Sequence, residues 1–275
     1  DNINDFNYSA GANVTYSRFY DWEQYDDRRS NSWDRYRNSI WHRVGYINWG
    51  YEAVGRFENW EQIATYPVDI DRKGNRTVVP GDIIYKDVNG DGVINFMDER
   101  PIGYRQDGTP NLNFGINLSA SWKGFDLSMD WTGSGMTSWM QQWETARPFQ
   151  NDGNSPGEIL KDSWHLADVW DADSELIPGK YPLIRMNNAE TSAYDKSTFW
   201  LHNVHYIKLR NLEFGYTLPK IWLAKSGISN LRVYLSGTNL LTLTNVPIID
   251  PEGSKDNGLI YPTPRIINLG INLKF

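Results

Sequence analysis

Asn268-Leu269-Gly270-Ile271-Asn272-Leu273-Lys274-Phe275 closes the sequence and decides how the rest is read. Counting back, Phe275, Leu273, Ile271, Leu269 and Ile267 are apolar, while Lys274, Asn272, Gly270 and Asn268 are polar or small. A period of two carried to the last residue predicts a strand that ends with the chain, not a frayed tail. In water an uncovered apolar strand edge templates aggregation. A strand with lipid on one side and water on the other has this alternation by necessity. The last strand of a β-sandwich is the competing reading.

Composition narrows the choice. The 275 residues include no Cys, 13 Trp, 16 Tyr and 10 Phe, with a formal charge of -7 and a mean hydropathy of -0.59. No run approaches the roughly 18 apolar residues of a transmembrane helix. Low hydropathy leaves a membrane barrel open, because only alternate strand residues face lipid. Without Cys there is no disulfide framework and no cysteine metal site. An acidic balance with no Lys/Arg cluster argues against nucleic acid. The start, Asp1-Asn2-Ile3-Asn4, has no signal peptide, so a mature or partial chain is expected.

The same alternation recurs upstream. Leu112, Phe114, Ile116, Leu118, Ala120 and Trp122 interleave with Asn111, Asn113, Gly115, Asn117, Ser119 and Ser121. After the turn Lys123-Gly124 the phase restarts with Phe125, Leu127, Met129 and Trp131 against Asp126, Ser128, Asp130 and Thr132. This predicts a hairpin with one apolar and one polar face, each arm long enough to cross a membrane at a tilt. Around 203–216, Ile207 and Leu209 are in one phase and Leu212, Phe214 and Tyr216 in the other; a β-bulge near Arg210-Asn211 would absorb the slip. The expectation is an all-β chain with six strands, roughly at 5–18, 110–122, 125–138, 200–216, 231–241 and 265–275.

The connections are asymmetric. Turns 123–124 and 217–230 are short, whereas 19–109, 139–199 and 242–264 are long and rich in Trp, Asp, Asn, Gly and Pro. Outer-membrane barrels keep short turns periplasmic and long loops extracellular, which would also make the C-terminus periplasmic. Such a barrel closes with no fewer than about eight strands, and an open sheet cannot stand in lipid. The chain therefore reads as one part of a larger transmembrane antiparallel β-barrel, with strands from several chains as the alternative.

Asp87-Val88-Asn89-Gly90-Asp91-Gly92-Val93-Ile94-Asn95-Phe96-Met97-Asp98 fits a twelve-residue calcium loop. Asp87, Asn89 and Asp91 take positions one, three and five; Gly92 makes the turn; the Val93 carbonyl, Asn95 and Asp98 complete the ligand set. Asp98 stands where an EF-hand has Glu, and neither flank predicts a helix. One Ca²⁺ is expected; an Asp/Asn/Gly turn without metal is the alternative.

Pro80-Gly81-Asp82-Ile83-Ile84-Tyr85-Lys86 leading into that loop, then Ile102-Gly103 and Trp122-Lys123-Gly124-Phe125-Asp126-Leu127-Ser128, resemble the C-terminal third of SusC/RagA-type TonB-linked outer-membrane transporters. So do Tyr206-Ile207-Lys208-Leu209-Arg210-Asn211-Leu212, Phe214-Gly215-Tyr216-Thr217-Leu218-Pro219 and Ser236-Gly237-Thr238-Asn239-Leu240-Leu241, in the family's order. The closing residues, Gly270, Leu273 and Phe275 among them, resemble the insertion signal of bacterial outer-membrane barrels. The resemblance implies residues 1–275 are the C-terminal part of one barrel domain of 22 strands. It implies the outer membrane of a Gram-negative bacterium, a plug domain that this chain lacks, and TonB contacts made elsewhere. It also implies import of an oligosaccharide or peptide with a SusD-like surface lipoprotein as lid.

Catalytic chemistry is not indicated. His202 and His205 fall on opposite strand faces, and no nucleophile, phosphate-loop or zinc signature occurs. Asp126 and Asp130 share a face, which on a barrel strand is the wet lumen. In the first loop Trp33, Trp41, Trp49 and Trp60 lie among Tyr, Arg and Asn, a composition suited to sugar rings or peptides, or to packing of the loop on itself. Trp122, Trp131 and Trp139 are expected in the interfacial girdle. The reading is part of an importer and not an enzyme. The alternatives are a soluble calcium-stabilised carbohydrate-binding or adhesin β-domain, and a barrel enzyme.

Overall fold

A computed structural model describes residues 2–3, 5–22, 28–39, 42–105, 108–185, 191–246, 248–253, 258 and 260–275. Six long strands dominate it: β1 (Phe6–Tyr16), β2 (Leu112–Trp122), β3 (Phe125–Met140), β4 (Leu201–Thr217), β5 (Asn230–Thr244) and β6 (Ile266–Lys274). They pair antiparallel in chain order, and the short strand Asn2–Ile3 adds a seventh at the β1 edge. No helix among the described residues is long and apolar enough to cross a membrane.

The pairing aligns the faces. Ala12, Ile116, Trp131 and Leu209 stand in one row across β1 to β4. The row Phe214, Leu235 and Leu269 continues across β4 to β6. Much of this apolar face lies open: Val14 is 71 %, Leu269 75 % and Ile271 61 % exposed, while Leu209 beside the bulge is buried. The opposite face is polar and internally bonded. Asn117 Nδ2 donates to Asp130 Oδ1 at 2.7 Å, Asn211 donates to Asp130 Oδ2, and the Arg232 guanidinium pairs with both Asp126 and Glu213. The carboxylates noted in the sequence thus have strand partners of their own.

The bulge falls where the phase changed. Asp130 pairs with Asn211 and Trp131 with Leu209, so Arg210 is the extra residue. Its side chain donates to Thr132 Oγ1 and Asn239 Oδ1 and pairs with Glu252, in the middle of the third long connection. Lys208 is fully buried beside it, 2.6 Å from Asp250 and 2.9 Å from Glu252. An ammonium is buried only when paired, so this bond holds the connection against the polar face.

Gly270 shows why the closing strand needs a glycine. It pairs with Tyr234, and a Cβ there would lie 2.3 Å from Tyr234 Cζ, so the phenol ring lies across the gap. Gly270→Val is expected to cost roughly 1–3 kcal/mol by overpacking. The check is the heat-modifiable electrophoretic shift of the full-length protein, with Tyr234→Ala restoring folding in the double variant. An unchanged shift in Gly270→Val alone would refute this role.

The main core is not in the sheet. Trp200, Tyr85, Phe57, Ile70, Ile83 and Ile94, all nearly inaccessible, lie in one cluster drawn from the first two long connections. These segments were expected as loops; they condense into a packed unit. Main-chain bonds stitch them, from Tyr51 N to Lys196 O at 2.8 Å and from Thr198 N to Tyr51 O at 2.9 Å. One sequence expectation is corrected here. Trp139 is 2 % exposed, stacks on His202 and packs with Val204 and Val246, so it is not a girdle residue; β3 shifts register between Ser134 and Thr137 just before it. Trp122, by contrast, is exposed at the other end of the sheet.

Candidate functional site

The marker Pro80-Gly81-Asp82 is the joint between the two connections. Gly81 sits at φ +93 against the Trp164 ring, where a Cβ would meet Cγ at 2.6 Å, so only glycine serves. Asp82 is wholly buried and accepts from Arg185 Nη2 at 2.7 Å and from the Val79 amide at 3.0 Å. Arg185 also donates to Thr77 O and Thr191 Oγ1. Burial pushes the Asp82 carboxyl up to about 6, with the Arg185 charge opposing that rise.

The adjoining loop 87–98 gathers its carboxylates. Asp87, Asp91 and Asp98 each offer an oxygen within 4.8 Å of the others. Oxygens bound to one Ca²⁺ at about 2.3–2.6 Å can be no farther apart than roughly twice that distance, so the spacing fits the ion. Backbone amides orient each carboxylate: Gly90 and Gly92 donate to Asp87, Val93 to Asp91, and Val88 and Asn95 to Asp98. Gly92 holds φ +78, the left-handed turn that position requires. The Val93 and Asn89 bonds keep the Asp91 carboxyl below its ordinary range. Asn95 Nδ2 donates to Asp91 Oδ2 and to Val93 O, so two of the expected oxygen ligands meet at Asn95. A single 3-10 turn, Phe96–Asp98, closes the loop, and its flanks are the strands Ile83–Tyr85 and Arg100–Arg105 in place of an EF-hand's two helices.

The tryptophans divide. Trp33 and Trp49 meet edge to face at 6.5 Å, with Tyr36 5.3 Å from Trp49. Arg37 lies 4.3 Å over Trp49 and Arg100 5.0 Å over Trp33, so guanidinium groups already cover much of those ring faces. Trp60 opens the helix Trp60–Thr65 and is 59 % exposed, with no ring contact to Trp33 or Trp49. Trp41 lies outside the described residues. The sequence shows these rings among arginines but not that the guanidinium groups stack on them, because a planar cation over an aromatic leaves no periodic trace in sequence. At the opposite end of the sheet, Leu273 pairs with Leu231, and Phe275 follows β6 with its ring exposed.

No family model matches the chain. It is 29 % identical over 241 residues to TonB-dependent receptor P3 of Formosa agariphila, covering 82 % of this chain and 22 % of that protein. TonB-dependent receptor P26 of the same organism is 30 % identical over 222 residues, covering 75 % and 21 %. The chain thus spans about a fifth of the length of the curated relatives it matches. Its fold superposes over its full length on the RagAB peptide importer, with TM-score 0.62 in the open-open state and 0.61 in the closed-closed state, at 22 % and 23 % identity. It covers 27 % and 28 % of those chains. The sequence motifs, the relatives and the fold together identify this chain as part of a SusC/RagA-type TonB-dependent transporter.

Proposed function

We propose that the chain supplies the C-terminal strands of a 22-stranded outer-membrane barrel and part of the loop assembly at its mouth, in an importer of oligosaccharides or peptides. The observation that carries this is the two-faced sheet: one face is an open apolar surface and the other is a bonded polar wall. The Lys123-Gly124 turn, the connection after Thr217 and Phe275 all lie at one end, which reads as periplasmic; the condensed connections then lie outside the cell. The importer works with a SusD-like lipoprotein as lid and draws on TonB through other parts of the protein. In a strain carrying the full-length gene, uptake of an oligosaccharide or peptide pool is expected to require both this gene and TonB. Recovery of the full-length protein in the soluble fraction, or uptake indifferent to loss of TonB, would contradict the reading and favour a soluble binding module.

The loop 87–98 holds one Ca²⁺ through Asp87, Asn89, Asp91, Val93, Asn95 and Asp98. The support is the convergence of three carboxylates with an all-oxygen donor set. The ion pins the first connection next to the Asp82–Arg185 joint. Affinity is expected at roughly 10⁻⁴–10⁻³ M, the range of extracellular modules. Replacing Asp87 and Asp91 together by Ala should raise protease sensitivity of the loop unit and leave membrane assembly intact. Chelator that leaves protease sensitivity unchanged would show that the loop is only a turn.

A further inference from the structure

A cavity of about 490 Å³ opens where the first connection leaves the sheet, and it differs in charge from the rest of a chain whose net charge is -7. Its walls carry Arg18, Arg43 and Arg105 together with Tyr20, Tyr46 and Tyr104. A second cavity of about 470 Å³ shares Arg43 and Tyr46 and adds Arg37 and Lys196. Among the described residues neither Arg18, Arg43 nor Lys196 is paired with a carboxylate. Arg43 instead donates to the carbonyls of Tyr36 and Ser39, which fixes its guanidinium in place.

Three further observations mark this as a built site. His42 and Tyr46, both in its wall, hold φ +52 and +58, left-handed values that a non-glycine residue adopts only under constraint. Tyr20, Tyr46 and Tyr104 are each more than a third exposed; Arg105 lies 5.3 Å over Tyr46, so the free ring surface is chiefly that of Tyr20 and Tyr104. Asn111, 6 % exposed, lines the cavity and continues the polar face of Asn113 and Asn117, and its buried Oδ1 has no hydrogen-bond partner among the described residues.

We propose that this arginine- and tyrosine-lined cavity is a subsite for an anionic oligosaccharide, its guanidinium groups taking carboxylate or sulfate and its phenol rings packing on sugar faces. The inference rests on the importer reading and narrows its substrate class. Arg presents a planar fork matched to carboxylate and sulfate oxygens, and flat aromatic surface suits the apolar face of a pyranose. An acidic peptide would also bring carboxylates, but an extended peptide is read through main-chain hydrogen bonds along a free strand edge. Here the wall strands are short or broken, with two residues each in the pair Tyr20–Asp21 and Arg43–Val44 and a register shift between Ile47 and Trp49 where Ile47–Gly50 meets Arg100–Arg105. Their edges give an extended peptide little regular backbone to pair with, so side chains do the reading.

Calorimetry on the full-length transporter in detergent tests this with tetragalacturonate, maltotetraose and tetraglutamate. Tetragalacturonate is expected to bind with an affinity that falls as salt rises, and maltotetraose much more weakly. Arg18→Gln, at an exposed position with no ion pair to lose, should weaken uronate binding by about tenfold and leave thermal stability unchanged. Absent tetragalacturonate binding, equal affinity for the neutral sugar, or an unaffected Arg18→Gln variant overturns the proposal. Tetraglutamate binding as tightly as the uronate assigns the cavity to acidic peptides and overturns it as well. TonB-dependent uptake of a mixed nutrient pool is read in the same strain. If it persists while uronate binding is absent, only the acidic subsite falls; if it is lost, the importer reading itself fails.

Discussion

Ile116→Arg should cost about 2–4 kcal/mol of barrel stability, while Asn117→Arg, one residue on, should be nearly silent. Ile116 pairs with Trp131 on one side and Ala12 on the other, in the middle of an apolar row. A guanidinium there would stand in hydrocarbon with no partner within the row. Asn117 points to the other face and already bonds Asp130 at 2.7 Å, so an arginine at 117 would meet a carboxylate and water. Urea unfolding of the full-length protein refolded into lipid vesicles measures both. Equal losses would contradict the assignment of faces, and a loss at Asn117 alone would reverse it.

Trp200→Ala should have the largest effect on the loop unit, roughly 3–5 kcal/mol, and little on membrane assembly. Its ring is 1 % exposed, stacks on Tyr181 at 5.9 Å and Tyr194 at 5.6 Å, and donates Nε1–H to Ala193 O at 2.8 Å. Truncation would leave a cavity and an unpaired carbonyl at the centre of the cluster that joins the two connections. The expected result is rapid proteolysis within 139–199 in a protein that still reaches the outer membrane at normal levels. Failure to reach the membrane would mean that the sheet depends on this unit, contrary to the separation of cores described above.

The sheet was legible because lipid and water impose opposite demands on successive residues, so alternation is forced along every strand. Even the bulge at Arg210 left a trace, as the switch of phase between Leu209 and Leu212. The loop unit was not legible, because Ile83, Tyr85 and Trp200 come from separate segments and pack by shape, not by period. Trp139 misled for a related reason: its alternation continues β3, but it packs with Val204 of β4 and Val246 of the third connection in a small cluster of its own. In the twelve-residue loop the turn was readable, since Gly92 takes the left-handed φ of +78 that its position asks for. The arginine-lined cavity was not, because Arg18, Arg43 and Arg105 are far apart in sequence and meet only when the first connection returns to the sheet.

The central claim is that one face of this sheet meets lipid and the other a wet interior. The chain has no Cys, so single cysteines placed in turn at 112–118 of the full-length transporter give unambiguous spin-label sites. In lipid vesicles the account expects oxygen accessibility to peak at 112, 114, 116 and 118, and accessibility to a polar nickel chelate to peak at 113, 115 and 117. Uniform accessibility along the strand, or both reagents peaking on the same face, would contradict it.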